Sequence, residues 1–313
     1  MNSVLTNCAA RKLAIGICTY NRPGLLKTCL KSLFAMEKPK GVEILIIIAD
    51  NNSNGTAKSI VDEFAKLAEI PICYSIEKTR GIAAARNNVL RQAQSNSITD
   101  LAFIDDDEYV DKDWLMTLWG YYLSSDADVV NGPVITTYPD PDTPKWIIKG
   151  GIHQMQIHRT GKELEWAPTN NVLFNFKKIV IQKDIWFDES FGLTGGSDAD
   201  FFFRANLEGA RILWNKSAIV YAPLERSRFT LGYLLMYSFR CSNEPRRFKD
   251  IHSNQKIKLW FFAFYQIFKG IFWVLLGGIF GKHRIYFGLA RFTTGTGLLL
   301  GLLGLFVKIE QYR

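Results

Sequence analysis

The chain has 313 residues, 48% of them apolar and 13% aromatic, with no low-complexity tract, which excludes a disordered or fibrous protein and allows one large domain or two smaller ones. Its net charge of +8 is unevenly spread: residues 224–313 hold 14 Lys/Arg against 4 Asp/Glu, whereas residues 1–223 hold 24 against 26. A neutral body with a basic tail suits nucleic acid or an anionic membrane, and because these charges flank two long apolar runs, the membrane is the expected partner and nucleic acid is not.

Five cysteines, Cys8, Cys18, Cys29, Cys73 and Cys241, lack metal-ligand spacing and read as reduced thiols of a cytosolic compartment. No long apolar segment precedes Arg11 and Lys12, so no secretory signal is expected. Leu13–Cys18 predicts a first strand, followed by Thr19-Tyr20-Asn21-Arg22-Pro23 and a helix with Leu26, Cys29, Leu30 and Leu33 on one face. Residues Val42–Ala49 are aliphatic throughout, the pattern of a strand covered on both faces, and end at Asp50-Asn51-Asn52-Ser53. A helix carrying Ile60, Val61, Phe64 and Leu67, a strand over Ile72–Ile76, and a helix opening at Gly81 follow in turn. Leu101–Ile104 is a fourth strand and runs into Asp105-Asp106-Asp107-Glu108. Four alternations of strand and helix predict an α/β fold with a mainly parallel sheet wrapped by helices.

In such sheets ligands bind beyond the carboxyl ends of the strands, where Thr19 to Arg22, Asp50 to Asn52 and Asp105 to Asp107 all fall. Clustered carboxylates at that edge suit a hard divalent ion, Mg²⁺ or Mn²⁺, bridging to substrate phosphates. Each cluster also has a plainer reading, as a helix cap or a solvated turn. Beyond the aromatic helix Trp114–Leu123, Val129–Val134 predicts one strand. Residues 136–168, with four prolines, predict an acceptor-side loop or small ribbon in which His153 and His158 are surface histidines. Asn170–Phe176 is a further strand. Gly195-Gly196-Ser197-Asp198 then opens a helix, with Asp198 placed as a general base or as a cap.

This ordered set resembles the family 2 glycosyltransferases, inverting enzymes that use nucleotide sugars and have a GT-A-like (Rossmann-like) mixed sheet. The resemblance covers residues 12–225, taken as the catalytic domain, with a basic connector over 226–256 and two apolar helices over 257–313. It implies that Thr19, Asn21 and Arg22 open the nucleotide pocket, that Asp50 reads the base with Asn52 beside it, and that Arg86 lines the donor site. It implies further that Asp105-Asp106-Asp107 is the Asp-X-Asp element, with Asp105 and Asp107 on the metal, and that Asp198 is the catalytic base. Ser197 departs from the pattern, since Glu is common there. No Gln-X-X-Arg-Trp segment follows the base, so single addition is expected rather than polymerisation; Arg246 and Arg247 occupy that region as candidate headgroup contacts.

The apolar runs Leu259–Phe280 and Ile285–Val307, 22 and 23 residues, are each long enough to span a bilayer. The turn Gly281-Lys282-His283-Arg284 would place positive charge on the far side, so helices lying in the cytosolic leaflet are the alternative. The expected function is transfer of a sugar from a nucleoside-diphosphate sugar to a lipid-linked saccharide at the cytoplasmic face of the inner membrane. A nucleotidyltransferase and a non-catalytic membrane module are the rivals; Thr19-Tyr20-Asn21-Arg22-Pro23 lacks the glycines the first would need.

Overall fold

A computed structural model describes residues 11–67, 69–151, 153–191, 195–243 and 253–307. Cys8, Arg246 and Arg247 lie outside the described residues. The chain divides into two units, one built from residues up to Ile135 together with Met155–Ala222, the other from Thr136–Gln154 and Pro223–Gln311.

The first unit begins with the expected alternation: β1 (Lys12–Thr19), α1 (Pro23–Ala35), β2 (Glu43–Asp50), α2 (Lys58–Ala65), β3 (Ile72–Ile76), α3 (Ile82–Ser95) and β4 (Asp100–Phe103). It continues through β5 (Tyr109–Val110), α4 (Trp114–Ser124), β6 (Val129–Asn131), β7 (Val134–Thr137), whose last residues leave the unit, β8 (Glu163–Leu164), β9 (Val172–Phe174), α6 (Ser197–Leu207), β10 (Ile212–Trp214) and β11 (Val220–Pro223); α5 (Lys145–Gly150) belongs to the second unit. The main sheet has eight strands in the order β3-β2-β1-β4-β9-β6-β10-β8. β1, β2, β3 and β4 pair in parallel, β9 runs antiparallel to both β4 and β6, and β6 pairs in parallel with β10. The fold is therefore a GT-A-like mixed, mainly parallel sheet.

Alternation along β1 sets the two faces. Leu13, Ile15 and Ile17 join the core formed with Leu30 of α1, Phe64 of α2 and Trp114 of α4, whereas Ala14 joins Val89 of α3 and Phe201 of α6 on the other face. Gly16 shares that second face, where a Cβ would stand 2.6 Å from Val89 Cγ1 and 2.9 Å from Phe103 Cε1. The missing side chain thus lets α3, which carries Arg86, lie close against the sheet.

Two expectations give way in the middle of the chain. Val129–Val134 is two strands, because Pro133 cannot donate to a ladder and Gly132 lies where a Cβ would be 2.3 Å from Ala218 O and 2.7 Å from Asn171 Nδ2. The 136–168 segment contains a helix, α5, besides β8. Within it His153 is half-buried rather than a surface residue, its Nε2 enclosed and its ring 6.3 Å from that of Tyr233.

The second unit adds α7 (Leu231–Ser242), α8 (Ser253–Phe280) and α9 (Lys282–Leu302). Only α8, over Lys256–Phe280, is long and apolar enough to cross a membrane among the described residues. The second expected span, Ile285–Val307, is not carried whole by one helix, since α9 ends at Leu302, and Arg291 with the glycines and threonines around it dilutes its apolar character.

Gly16→Ala is expected to cost about 1–3 kcal/mol through overpacking between β1 and α3. Gly24→Ala, on a helix with no atom within 4 Å of the added carbon, should instead stabilise by about 0.5–1 kcal/mol. Denaturant unfolding of both variants checks the opposite signs.

Candidate functional site

Three polar segments leave the carboxyl edge of the sheet together, because β1, β2 and β4 are in register: Thr19 pairs with Asp50, and Gly16 with Phe103. The backbone knits the rim further, with Asn51 N–H donating to Thr19 O and Glu77 N–H to Asp50 O, both at 2.8 Å.

At the end of β2, Asp50 is fully buried. Its Oδ1 accepts from Asn52 N–H at 3.0 Å, and its Oδ2 accepts from Ala57 N–H at 2.8 Å and from the Tyr74 hydroxyl at 2.9 Å. The residue expected to read a base thereby also anchors the 51–57 loop. Asn51 ties the same loop to α3, its Oδ1 accepting from Gly81 N–H at 2.8 Å and its Nδ2 donating to Thr79 O at 2.7 Å. Asn52 donates to Asn21 Oδ1, and Asn21 holds a left-handed backbone with φ of 55°. Asn21 and Asn52 thus face one another across the β1 and β2 ends; Asn21 does not cap α1, whose first turn is started by Pro23.

The acidic run after β4 divides its labour. Asp106 is buried and accepts from the Thr19 hydroxyl at 2.7 Å, while Arg22 Nη1 stands 3.6 Å from Asp106 Oδ1 and 3.2 Å from Asp107 Oδ2. Glu108, also buried, turns back and accepts from Asp105 N–H at 3.1 Å, closing the turn. Asp105 and Asp107 are the partly exposed members. Burial, then the charge of Asp107, pushes the Asp105 carboxyl up to about 6; Asp198 adds to the rise, and Arg86 and Arg22 oppose it. Burial and Asp107 likewise carry Asp106 to about 7, against the Thr19 hydrogen bond and Arg22. Glu108 is driven well above the carboxylate range, first by burial and then by Asp105 and Asp107.

Opposite this run stands Arg86, 8% exposed on α3. Its Nη1 donates to Ser197 Oγ at 2.7 Å, its Nη2 donates to Thr169 Oγ1, and its guanidinium lies 5.5 Å from the centre of the Phe187 ring. Among the described residues no carboxylate lies within ion-pairing distance of it, so its charge is held by hydroxyls and felt by Asp105. The neighbouring Asn87 fixes the Phe187 segment, accepting from Phe187 N–H and donating to Phe187 O, both at 2.9 Å. Ser197 and Asp198 are the first residues of α6, after two left-handed glycines, Gly195 and Gly196. Asp198 Oδ1 accepts from Ala199 N–H at 2.9 Å and the residue is only partly buried.

The structure therefore gathers Arg22, Arg86, Asp105, Asp106, Asp107 and Asp198 into one electrostatic neighbourhood, with Thr19 bound to the acids and Asp50 behind the wall. Among the described residues no three His, Cys, Asp or Glu side chains form a ready-made metal cage. Thr169, Tyr74 and Phe187 escaped sequence reasoning: a lone threonine before a strand, a tyrosine within one, and a phenylalanine after a turn carry no local sign that a charged partner will meet them.

Because Asp105 and Asp106 bind protons more tightly folded than unfolded, the metal-free protein should lose stability as pH rises from about 4 toward 7 on their account. Asp106→Asn, whose amide oxygen still accepts from Thr19, should flatten part of that slope. Thermal unfolding in chelator across this range tests it; equal slopes for the two proteins would contradict the assignment.

The model of the family described as glycosyl transferase family 2 matches residues 14–199. Succinoglycan biosynthesis protein ExoM of Rhizobium meliloti is 32% identical over 95% of this chain and 94% of its own length. The GalNAc(5)-diNAcBac-PP-undecaprenol beta-1,3-glucosyltransferase of Campylobacter jejuni is 25% identical over 76% of this chain and 77% of its own. Among solved structures, S. aureus TarS 1-349 in complex with UDP-GlcNAc superposes with a TM-score of 0.55 at 16% identity, covering 96% of this chain and 93% of that one, a likeness of fold. The chain belongs to glycosyl transferase family 2.

Proposed function

We propose that this enzyme transfers a glycosyl residue, with inversion, from a nucleoside-diphosphate sugar to a hydroxyl of a lipid-linked saccharide in bacterial cell-surface polysaccharide synthesis. The observation that carries the reading is the meeting of two arginines, the Asp105 to Asp107 run and the separate acid Asp198 at one edge of the sheet. Cations there suit a diphosphate, and one acid supported away from the others suits a single displacement.

Asp198 takes the proton of the acceptor hydroxyl as that oxygen bonds to the anomeric carbon; the bond to the diphosphate oxygen breaks and its electron pair leaves with the nucleoside diphosphate. Attack from the face opposite the leaving group inverts the configuration. Arg86, fixed by Ser197 and Thr169, and Arg22 stand on the side of the developing negative charge. Thr19, Asn21 and Asn52 line the approach of the nucleoside, with Asp50 holding their loop.

The donor set fits a hard divalent ion: Asp105 and Asp107 offer oxygen alone, and their crowding raises the proton affinity of Asp105 in the way a nearby cation would reverse. Two carboxylates leave the rest of such an ion's shell to water and substrate phosphate oxygens, so Mg²⁺ or Mn²⁺ held by Asp105 and Asp107 is the cofactor we assign. When bound it neutralises charge on the departing diphosphate. The acceptor class is supported by the undecaprenol-linked substrate named for the Campylobacter relative and by the succinoglycan assignment of the Rhizobium one. The apolar α8 supports association with a membrane, which for an enzyme using a nucleotide sugar we take to be the cytoplasmic face of the inner membrane.

Asp198→Asn is expected to lower transfer about 10²- to 10⁴-fold while leaving nucleoside-diphosphate affinity within about twofold, read by product formation and calorimetry. Undiminished turnover would remove Asp198 from the role. Chelation should abolish donor turnover in the parent enzyme and Mn²⁺ should restore it; full activity in chelator would remove the metal.

A further inference from the structure

The second unit decides how this chain meets a bilayer, a question the membrane assignment above leaves open and on which this inference rests. α8 and α9 form an antiparallel hairpin whose backbones touch. A Cβ on Gly277 would lie 2.9 Å from Ile285 N, on Gly270 2.6 Å from Phe292 N, and on Gly295 2.6 Å from Ala263 O. The two helices therefore cross a membrane together or lie on it together. Both are long enough, but among the described residues only α8 is apolar enough to span, and α9 carries Arg291 at its middle. The other side of α9 is already covered within the unit: the Trp146 ring of α5 lies 4.5 Å from that of Tyr286, tilted by 58°, and Gly297 lies under Phe239 and Ser242 of α7.

Two cations sit near the middle of the hairpin rather than at its ends. Lys269 Nζ is 5.9 Å, and the Arg291 guanidinium 4.7 Å, from the centre of the same Phe287 ring, and residues 253–307 hold six Lys/Arg and no Asp/Glu. In a spanning hairpin both charges would reach the hydrocarbon midplane at one depth with no carboxylate to pair them. Away from α9, α8 turns a stripe outward at helical spacing: Phe261, Phe264, Phe268, Leu275 and Ile279, of which Phe268 is 67% and Leu275 74% exposed. An apolar stripe on a helix pair that is exclusively basic is complementary to an anionic lipid surface.

We infer that the α8/α9 hairpin lies in the plane of an anionic phospholipid leaflet, with the Phe261 to Ile279 stripe in the acyl boundary and Lys269 and Arg291 at the level of the headgroup phosphates, and that it does not cross.

The full-length protein is bound to sealed vesicles of phosphatidylglycerol and phosphatidylcholine, or of phosphatidylcholine alone. Flotation should require phosphatidylglycerol, and the variant carrying Phe268→Glu and Leu275→Glu should partition at least about tenfold less while releasing nucleoside diphosphate from its donor as the parent does. A Lys282→Cys variant on intact vesicles should react with an added membrane-impermeant maleimide as fast as after detergent, judged against the parent chain. Protection of that thiol until detergent is added would establish a spanning hairpin and overturn the inference, as would flotation indifferent to the stripe variant or to anionic lipid. Donor turnover without any vesicle binding would overturn this inference and leave the transferase reading intact, whereas binding without donor turnover would do the reverse.

Discussion

Everything at this site follows from the cost of bringing carboxylates together out of water at the end of β4. Asp106 and Glu108 are buried beside Asp105 and Asp107, and four acids in sequence repel unless protons, hydrogen-bond donors or cations answer them. The protein supplies part of the answer itself. Thr19 and Arg22 approach from the end of β1, and Glu108 folds back onto the Asp105 amide. Arg22 reaches Asp107 as well, and Asp105, partly exposed and crowded by Asp107, is the carboxylate whose charge the proposed cation would ease most.

The second constraint is the burial of a guanidinium. Arg86 is enclosed, yet it is held by the hydroxyls of Ser197 and Thr169 and by the face of Phe187 rather than by a carboxylate. The serine at 197, where glutamate is common in the family, explains part of this, because a carboxylate there would neutralise the arginine it touches. With serine the positive charge stays uncancelled and is felt across the site at Asp105. One hydrogen bond thereby joins α3 to the start of α6 and sets Asp198, the next residue, at its place.

Much of this was legible in the sequence, for physical reasons. Strands covered on both faces must be apolar throughout, so β1, β2 and β4 announced themselves, and their polar ends marked the sheet edge on which Thr19, Asp50 and Asp105 meet. What local pattern does not encode is the partner brought from far along the chain. Asp50 read as a ligand-facing acid, and nothing in the strand before it tells that Tyr74 and Ala57 both donate to its Oδ2. The split between β6 and β7 depends on Ala218 and Asn171 crowding Gly132, and no periodicity over residues 129–134 records that. In the tail, hydropathy named two equivalent apolar runs; packing distinguishes them, because α9 is enclosed between α8 and the helices α5 and α7 while α8 keeps an open face.

The central claim is that Asp105 and Asp107 form an incomplete cation site that the donor's phosphates finish. Electron paramagnetic resonance titration of Mn²⁺ into the protein, with and without a nucleoside diphosphate, tests it most directly. The account predicts weak uptake of Mn²⁺ alone and uptake at least about tenfold tighter with the nucleotide present, since two carboxylates cannot fill the shell of a hard ion. Tight binding without nucleotide, or no change on adding it, would contradict the account.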